Sequence, residues 1–214
     1  MSAHCCHHDH DPGHGKGPGG VDPRFRRALW IALVVNAAMF VIELGASWRS
    51  GSVSLLADSI DFFGDAANYA LSLLVVGMVL SVRARASLFK AACMAAFGVF
   101  VIGKALWNLR YGAPPEAVTM GSVGFLALAA NVGVALILYR FRAGDSNMRS
   151  VWICTRNDAF GNIAVMAAAL GVFGTGHAWP DLAVATIMGT LALTGATTVL
   201  RHARAELQPV PHTH

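Results

Sequence analysis

Charge is what this sequence has least of. Only 13% of its 214 residues are Asp, Glu, Lys or Arg, against roughly a quarter in soluble domains. A water-facing surface of ordinary composition cannot be built from so few. Its 4 cysteines, Cys5, Cys6, Cys93 and Cys154, make no disulfide framework: the adjacent Cys5 and Cys6 cannot easily bridge each other, and a cytoplasmic tail stays reduced. A signal peptide is missing as well, because residues 1–24 contain no apolar stretch. The net charge of +4 and pI near 9.1 do not point to a nucleic-acid partner, since the basic residues cluster at the ends of apolar runs and serve as topology signals.

Apolar sequence fills the space that charge leaves. Hydrophobic residues make up 55% of the chain and the mean hydropathy is +0.53. Six apolar segments are expected as helices at 28–47, 54–80, 86–109, 117–139, 150–173 and 180–200, each near the roughly 20 residues that cross a bilayer. Breaks are expected at "RSGS" (49–52), at "RAR" (83–85), at "YGAPPE", at "RFRAGDSN" and at "GTGHAWP". The reading is an all-α polytopic membrane protein with six transmembrane helices and no separate soluble domain. Lys16, Arg24, Arg26, Arg27, Arg83, Arg85, Arg140, Arg142, Arg149, Arg201 and Arg204 fall on one side and only Arg49 and Arg110 on the other. The positive-inside rule then puts both termini in the cytoplasm.

Three regions are expected: a low-complexity tail over 1–24, the membrane part over 25–204, and a short cytoplasmic end over 205–214. The first tail is rich in Gly and Pro and holds His4, Cys5, Cys6, His7, His8, His10 and His14. Nothing in it can bury a core, so it reads as disordered and, on composition, as metal-binding. His212 and His214 at the other end are weaker candidates of the same kind.

Half of the 12 acidic residues lie in or at the ends of the apolar segments: Glu43, Asp58, Asp61, Asp65, Asp158 and Asp181. An ionisable group in hydrocarbon marks a substrate path or a charge partner, because little else offsets its cost. At about 100° per residue, Asp61 lies roughly 60° and Asp65 roughly 20° around the helix from Asp58, so the three share a face. In "WICTRNDAFGN", Cys154 and Asp158 are four apart and share a face too. Two helices that each present such a pair, Asp61/Asp65 and Cys154/Asp158, can converge on one ion. Three carboxylates and a thiolate suit a tetrahedral divalent cation, zinc or, with sulfur present, cadmium. The plainer reading pairs a lone aspartate with Lys90, Lys104 or Arg156; for Asp58 the two readings stand even. Cys93 has no acidic partner at helical spacing and reads as packing.

The run "NAAMFVIELGASWRSGSVSLLADSIDFFGDAANYALSL" resembles the first two helices of the cation diffusion facilitator family. The family pattern places an Asn and a Glu seven apart (Asn36, Glu43), then a Ser-Gly-Ser turn (Ser50 to Ser52), then Leu-Leu-Ala-Asp-Ser (Leu55 to Ser59). A four-spaced ligand pair follows, matching Asp61 and Asp65. The family's fifth helix carries a second pair, then Gly and a small polar residue, matching Cys154, Asp158, Gly161 and Asn162, and its sixth opens near Pro180 and Asp181. The resemblance spans 25–204. It departs at Cys154, where His or Asp is usual, and it implies the shorter, membrane-only branch, because most members continue into a cytoplasmic ferredoxin-like domain.

That resemblance implies a divalent-metal/proton antiporter working by alternating access, with helices 1, 2, 4 and 5 rocking about a mid-membrane site. Zn²⁺ or Cd²⁺ is then the transported substrate, with no permanent cofactor. The partners implied are protons, membrane lipid and a second copy of the chain, paired through membrane helices. Asn36, Glu43, Asp58 and Asn162 become groups that orient the ligands or gate the path. The setting expected is a bacterial inner membrane. Two other classes compete: an intramembrane aspartate enzyme and a metal sensor without a transport cycle. Neither needs two four-spaced pairs and a thiol, so the sequence is read as a transporter and not as an enzyme.

Overall fold

A computed structural model gives the fold and describes residues 23–74, 80–141 and 146–207. They form six helices: α1 (Pro23–Ser50), α2 (Val53–Leu74), α3 (Leu80–Tyr111), α4 (Ala117–Tyr139), α5 (Ser146–Thr175) and α6 (Trp179–Leu207). Each follows from an apolar run free of internal proline, and the breaks follow from backbone chemistry. Gly51 turns the chain between α1 and α2 at φ 74°, a conformation open to glycine without a Cβ clash. Gly176 does the same after α5 at φ 67°. Pro114 and Pro115 separate α3 from α4, and Pro180 occupies the first turn of α6.

The helices outrun the apolar segments at ends rich in arginine. α1 begins at Pro23, before residue 28, and α6 runs to Leu207, beyond residue 200. Hydropathy marks only the part that sits in hydrocarbon, whereas the backbone ladder continues while arginine side chains reach to the interface. One expected break is corrected by this rule. Arg83, Ala84 and Arg85 lie inside α3, since arginine and alanine are strong helix formers and carry no stop signal. The tail histidines and cysteines, His212 and His214 lie outside the described residues.

The faces are distributed for a lipid solvent. Along α1 the buried positions are Phe25, Ala28, Leu29, Ala32, Asn36, Met39, Glu43, Ser47 and Ser50, mostly small or polar from Ala28 onward. Trp30, Val34, Val41 and Trp48 face outward, Trp48 at 88% exposure. That reverses the soluble pattern and fits a helix whose outside is hydrocarbon. Among the described residues, five helices are long and apolar enough to cross a membrane. The 22-residue α2 has the length as well, but its charge content of Asp58, Asp61 and Asp65 sets it apart. The chain is a multi-pass integral membrane protein.

Four helices close a ring: α1 packs on α2 and α4, and α5 packs on α4 and α2. α3 and α6 form a tight pair that leans on α2 and α5. Glycine sets how tight. A methyl group on Gly98 would lie 3.0 Å from the Leu193 side chain and 3.3 Å from the Gly189 carbonyl oxygen, and one on Gly189 would lie 3.1 Å from Ile102. Lys104 is exposed on α3, away from the ring interior, and Cys93 is half-buried there as a packing residue.

Asp181, one of the membrane acids, has a structural task. Its Oδ1 accepts from the Ser52 hydroxyl at 2.7 Å and from the Ser54 N–H at 3.0 Å, while Oδ2 accepts from the Val53 N–H at 2.8 Å. An acid from the start of α6 thus caps the start of α2, where free N–H groups and the helix dipole favour negative charge. Asp181→Ala should cost about 2–3 kcal/mol through the lost charge-assisted bonds. Thermal unfolding in detergent checks this: a clear fall in melting temperature is expected, with Asp181→Asn falling less.

Candidate metal centre

The ring interior is organised by the antiparallel pairing of α1 with α2. Ala32 and Tyr69 belong to one buried cluster, Met39 and Phe62 to another, and Glu43 and Asp58 interact as neighbouring carboxyls. Each step along α1 toward its C-terminus is matched by an equal step back along α2. The same register sets Asn36 against Asp65. Two polar rungs, Asn36–Asp65 and Glu43–Asp58, therefore flank an apolar rung, Met39–Phe62.

α4 extends these rungs. Phe25 and Phe141 stack edge-on at 5.2 Å between ring centroids, and Ala127 joins Met39 and Phe62. Asn131, one turn past Ala127, falls on the Asn36–Asp65 rung. α5 closes the ring. A methyl group on Gly124 would lie 3.5 Å from Val165, one on Gly121 3.9 Å from Ala169, and one on Gly161 4.0 Å from Asp58 Oδ1. Continued down the helices, these contacts set Asp158 level with Asn131 on one side and with Asp61 on the other. Asp61 and Asp158 interact electrostatically, and Asp58 interacts with both.

The interior residues are buried. Glu43, Asn36 and Asn162 have no exposed surface, Asp58 and Asn131 are 2% exposed, and Asp65 and Asp158 are also buried; Asp61 is half-buried. Asn36 donates from Nδ2 to the Ala32 carbonyl at 2.8 Å. Among the described residues, both Glu43 carboxyl oxygens, Asp58 Oδ2, both polar atoms of Asn162, and the Oδ1 atoms of Asn36 and Asn131 have no hydrogen-bond partner. Among the described residues no three His, Cys, Asp or Glu side chains converge closely enough to hold an ion by themselves. The arrangement is a distributed acid-and-amide set along a channel axis, open to completion by further donors. Position 154 is on α5, level with Asp65 in the α2–α5 register, while the Cys154 side chain lies outside the described residues, as do those of Lys90 and Arg156.

This sequence matches the family model described as the cation efflux transmembrane domain over residues 29–208. The chain belongs to the cation efflux family, the cation diffusion facilitators. It is similar to the metal cation efflux system protein CzcD of Cupriavidus metallidurans, at 23% identity over 198 residues, 87% of this chain and 60% of that protein. It is also similar to the zinc transporter ZitB of Escherichia coli, at 24% over 199 residues, 87% of this chain and 63% of that protein. A cadmium, cobalt and zinc/H(+)-K(+) antiporter of Bacillus velezensis shares 22% over 186 residues, 78% of this chain and 58% of its own length. The chain spans about 60% of the length of the curated relatives it matches.

Within this cation efflux domain Glu43, Asp58, Asp65 and Asp158 are buried and Asp61 is half-buried, whereas Asp181 caps α2. Asn131 escaped the sequence reading. Its signal was a lone amide in the apolar run "GFLALAANVGVALIL", the kind of polar residue that seldom enters a membrane helix without a task. Glu43 and Asp58 make a further prediction. Two neighbouring carboxyls buried away from any basic partner among the described residues destabilise a low-dielectric core. Glu43→Gln should raise stability by about 1–2 kcal/mol, roughly 2–8 °C in melting temperature, at pH 8 in detergent; a fall would show that the pair holds the ring together.

Proposed function

We propose that this chain exports divalent transition-metal cations from the cytoplasm in exchange for protons, with zinc and cadmium as its main substrates. The observation that carries the reading is the electrostatic interaction of Asp61 with Asp158 across the α2–α5 contact, with Asp58 close to the α5 backbone at Gly161. Acidic residues on two antiparallel helices inside a bilayer are a binding set for a cation in transit. In this reading the ligands are Asp61, Asp65, Cys154 and Asp158. The named activities of the relatives, metal efflux and zinc transport, support the same substrate class.

The mechanism follows from competition. Metal enters from the cytoplasmic side when the carboxylates and the Cys154 thiol are deprotonated. The α1–α2–α4–α5 ring then rocks to face outward, where a higher proton concentration fills the same groups and releases the ion. Glu43, Asp58, Asn36 and Asn162 orient the ligands or gate their access. Both termini face the cytoplasm of a bacterial inner membrane, two copies pair through membrane helices, and the His- and Cys-rich tail gathers metal. Cys154 shifts preference toward the softer cadmium, because thiolate favours soft ions.

Reconstituted vesicles test this directly. Asp65→Ala and Asp158→Ala are each expected to lower metal uptake by at least about a hundredfold, or about 2.7 kcal/mol of lost ion stabilisation, with insertion intact. Full transport by either would overturn the ligand set. Cys154→His should move the cadmium-to-zinc rate ratio toward zinc, and metal-dependent proton flux separates a transporter from a static metal binder or an enzyme.

A further inference from the structure

The Asn36–Asp65–Asn131 rung holds two amide oxygens that no group in the described structure satisfies. Asn36 is fully buried, and its Nδ2 is tied to the Ala32 carbonyl at 2.8 Å. That bond fixes the amide plane and leaves Oδ1 as an oriented acceptor with no donor. Asn131 is 2% exposed, with its own Oδ1 equally without a donor. By the Phe25–Phe141 and Met39–Ala127 contacts, the two residues sit within one residue of the same level in the antiparallel α1–α4 contact, between the Met39–Phe62–Ala127 layer and a second apolar cluster that includes Leu29, Ala32, Val134 and Leu138.

Packing does not require this. A pair of helices can meet through small apolar residues alone, as α3 and α6 do at Gly98 and Gly189. A buried acceptor left without a donor loses its hydration and gains nothing from burial. A species carrying positive charge satisfies both at once. Amide oxygens are hard, neutral donors, so they hold a small divalent ion without fixing a countercharge and let it leave again. Their place is on the side toward the arginine-rich start of α1, level with Asp65 on α2 and, through Asn131, beside Asp158 on α5.

We propose that Asn36 and Asn131 form a two-amide station, taking the divalent cation through their Oδ1 atoms on the Asp65 side of the Met39–Phe62–Ala127 layer. The station rests on the transport reading above, and it adds α4 to the helices that touch the ion. Because its donors are oxygens, it contributes more to the binding of oxygen-preferring ions than to that of sulfur-preferring ones.

The test uses the purified full-length chain, Mn²⁺ as the oxygen-preferring probe and Cd²⁺ as the sulfur-preferring one. Equilibrium binding is measured for the native chain, Asn131→Leu, Asn131→Asp, Asn36→Leu and Asn131→Ser. Asn131→Leu and Asn36→Leu are expected to weaken Mn²⁺ by about tenfold and Cd²⁺ by less than about twofold, a selective loss of an oxygen donor. Asn131→Asp restores an oxygen and is expected to recover Mn²⁺ binding. Asn131→Ser supplies the comparison if leucine hinders folding, and is expected to show the same selective loss in part. Equal weakening of both ions marks a packing role and overturns the station. Unchanged binding marks an amide pair that holds only water and overturns it too. Flux in vesicles of the native chain judges the transport reading separately: a chain that binds with this selectivity but moves no ion sinks transport and keeps the station.

Discussion

A carboxylate inside hydrocarbon has to be answered by something, because desolvation costs it several kcal/mol. In this fold the answer is geometric before it is chemical. The antiparallel register of α1 and α2 stacks Asn36 with Asp65, Met39 with Phe62 and Glu43 with Asp58. Asn36, Glu43, Asp58 and Asp65 from the two helices are thereby buried in one shared interior. α4 and α5 complete the enclosure with Asn131, Asp158 and Asn162. If α2 slipped by one residue, its aspartates would rotate by about 100° toward α3 or lipid. The rest of the molecule holds that register.

Two devices serve it. Asp181 reaches from the start of α6 to receive the Val53 and Ser54 N–H groups and the Ser52 hydroxyl, so the start of α2 is pinned to a different helix. The α3–α6 pair, drawn close at Gly98 and Gly189, forms a support against which α2 and α5 rest. The ring that carries the acids contains amides and unpartnered oxygens, whereas this support is small and apolar at its contact. The two halves of the fold therefore divide labour: one is packed to stay, the other is polar along its axis and open to alternative pairing.

Much of this was legible in the sequence. Six apolar runs gave six helices because each is long and its neighbours are separated by glycine or paired proline. The shared face of Asp58, Asp61 and Asp65 followed from helical periodicity alone, and the family resemblance from the residues around it agrees with the domain match over 29–208. Other features were hidden for physical reasons. Helix ends at Pro23 and Leu207 lie in the interface, where hydropathy no longer tracks the backbone ladder. Arg83 to Arg85 looked like a turn because charge was taken for a break. Asp181 looked like one more intramembrane acid, since a cap supplied by a distant helix leaves no local pattern. Asn131 was overlooked because a lone amide has no second polar residue at helical spacing on its own helix to mark its face.

The central claim is that α2 and α5 share one divalent ion through carboxylates and the Cys154 sulfur. X-ray absorption at the zinc edge of the full-length chain, loaded with one equivalent of metal, reads the donor atoms. The account predicts an oxygen-dominated shell with one sulfur at about 2.3 Å. That sulfur should persist in a Cys5→Ser/Cys6→Ser variant and vanish in Cys154→Ser. A sulfur shell that survives Cys154→Ser, or a shell made of histidine nitrogen, would contradict it.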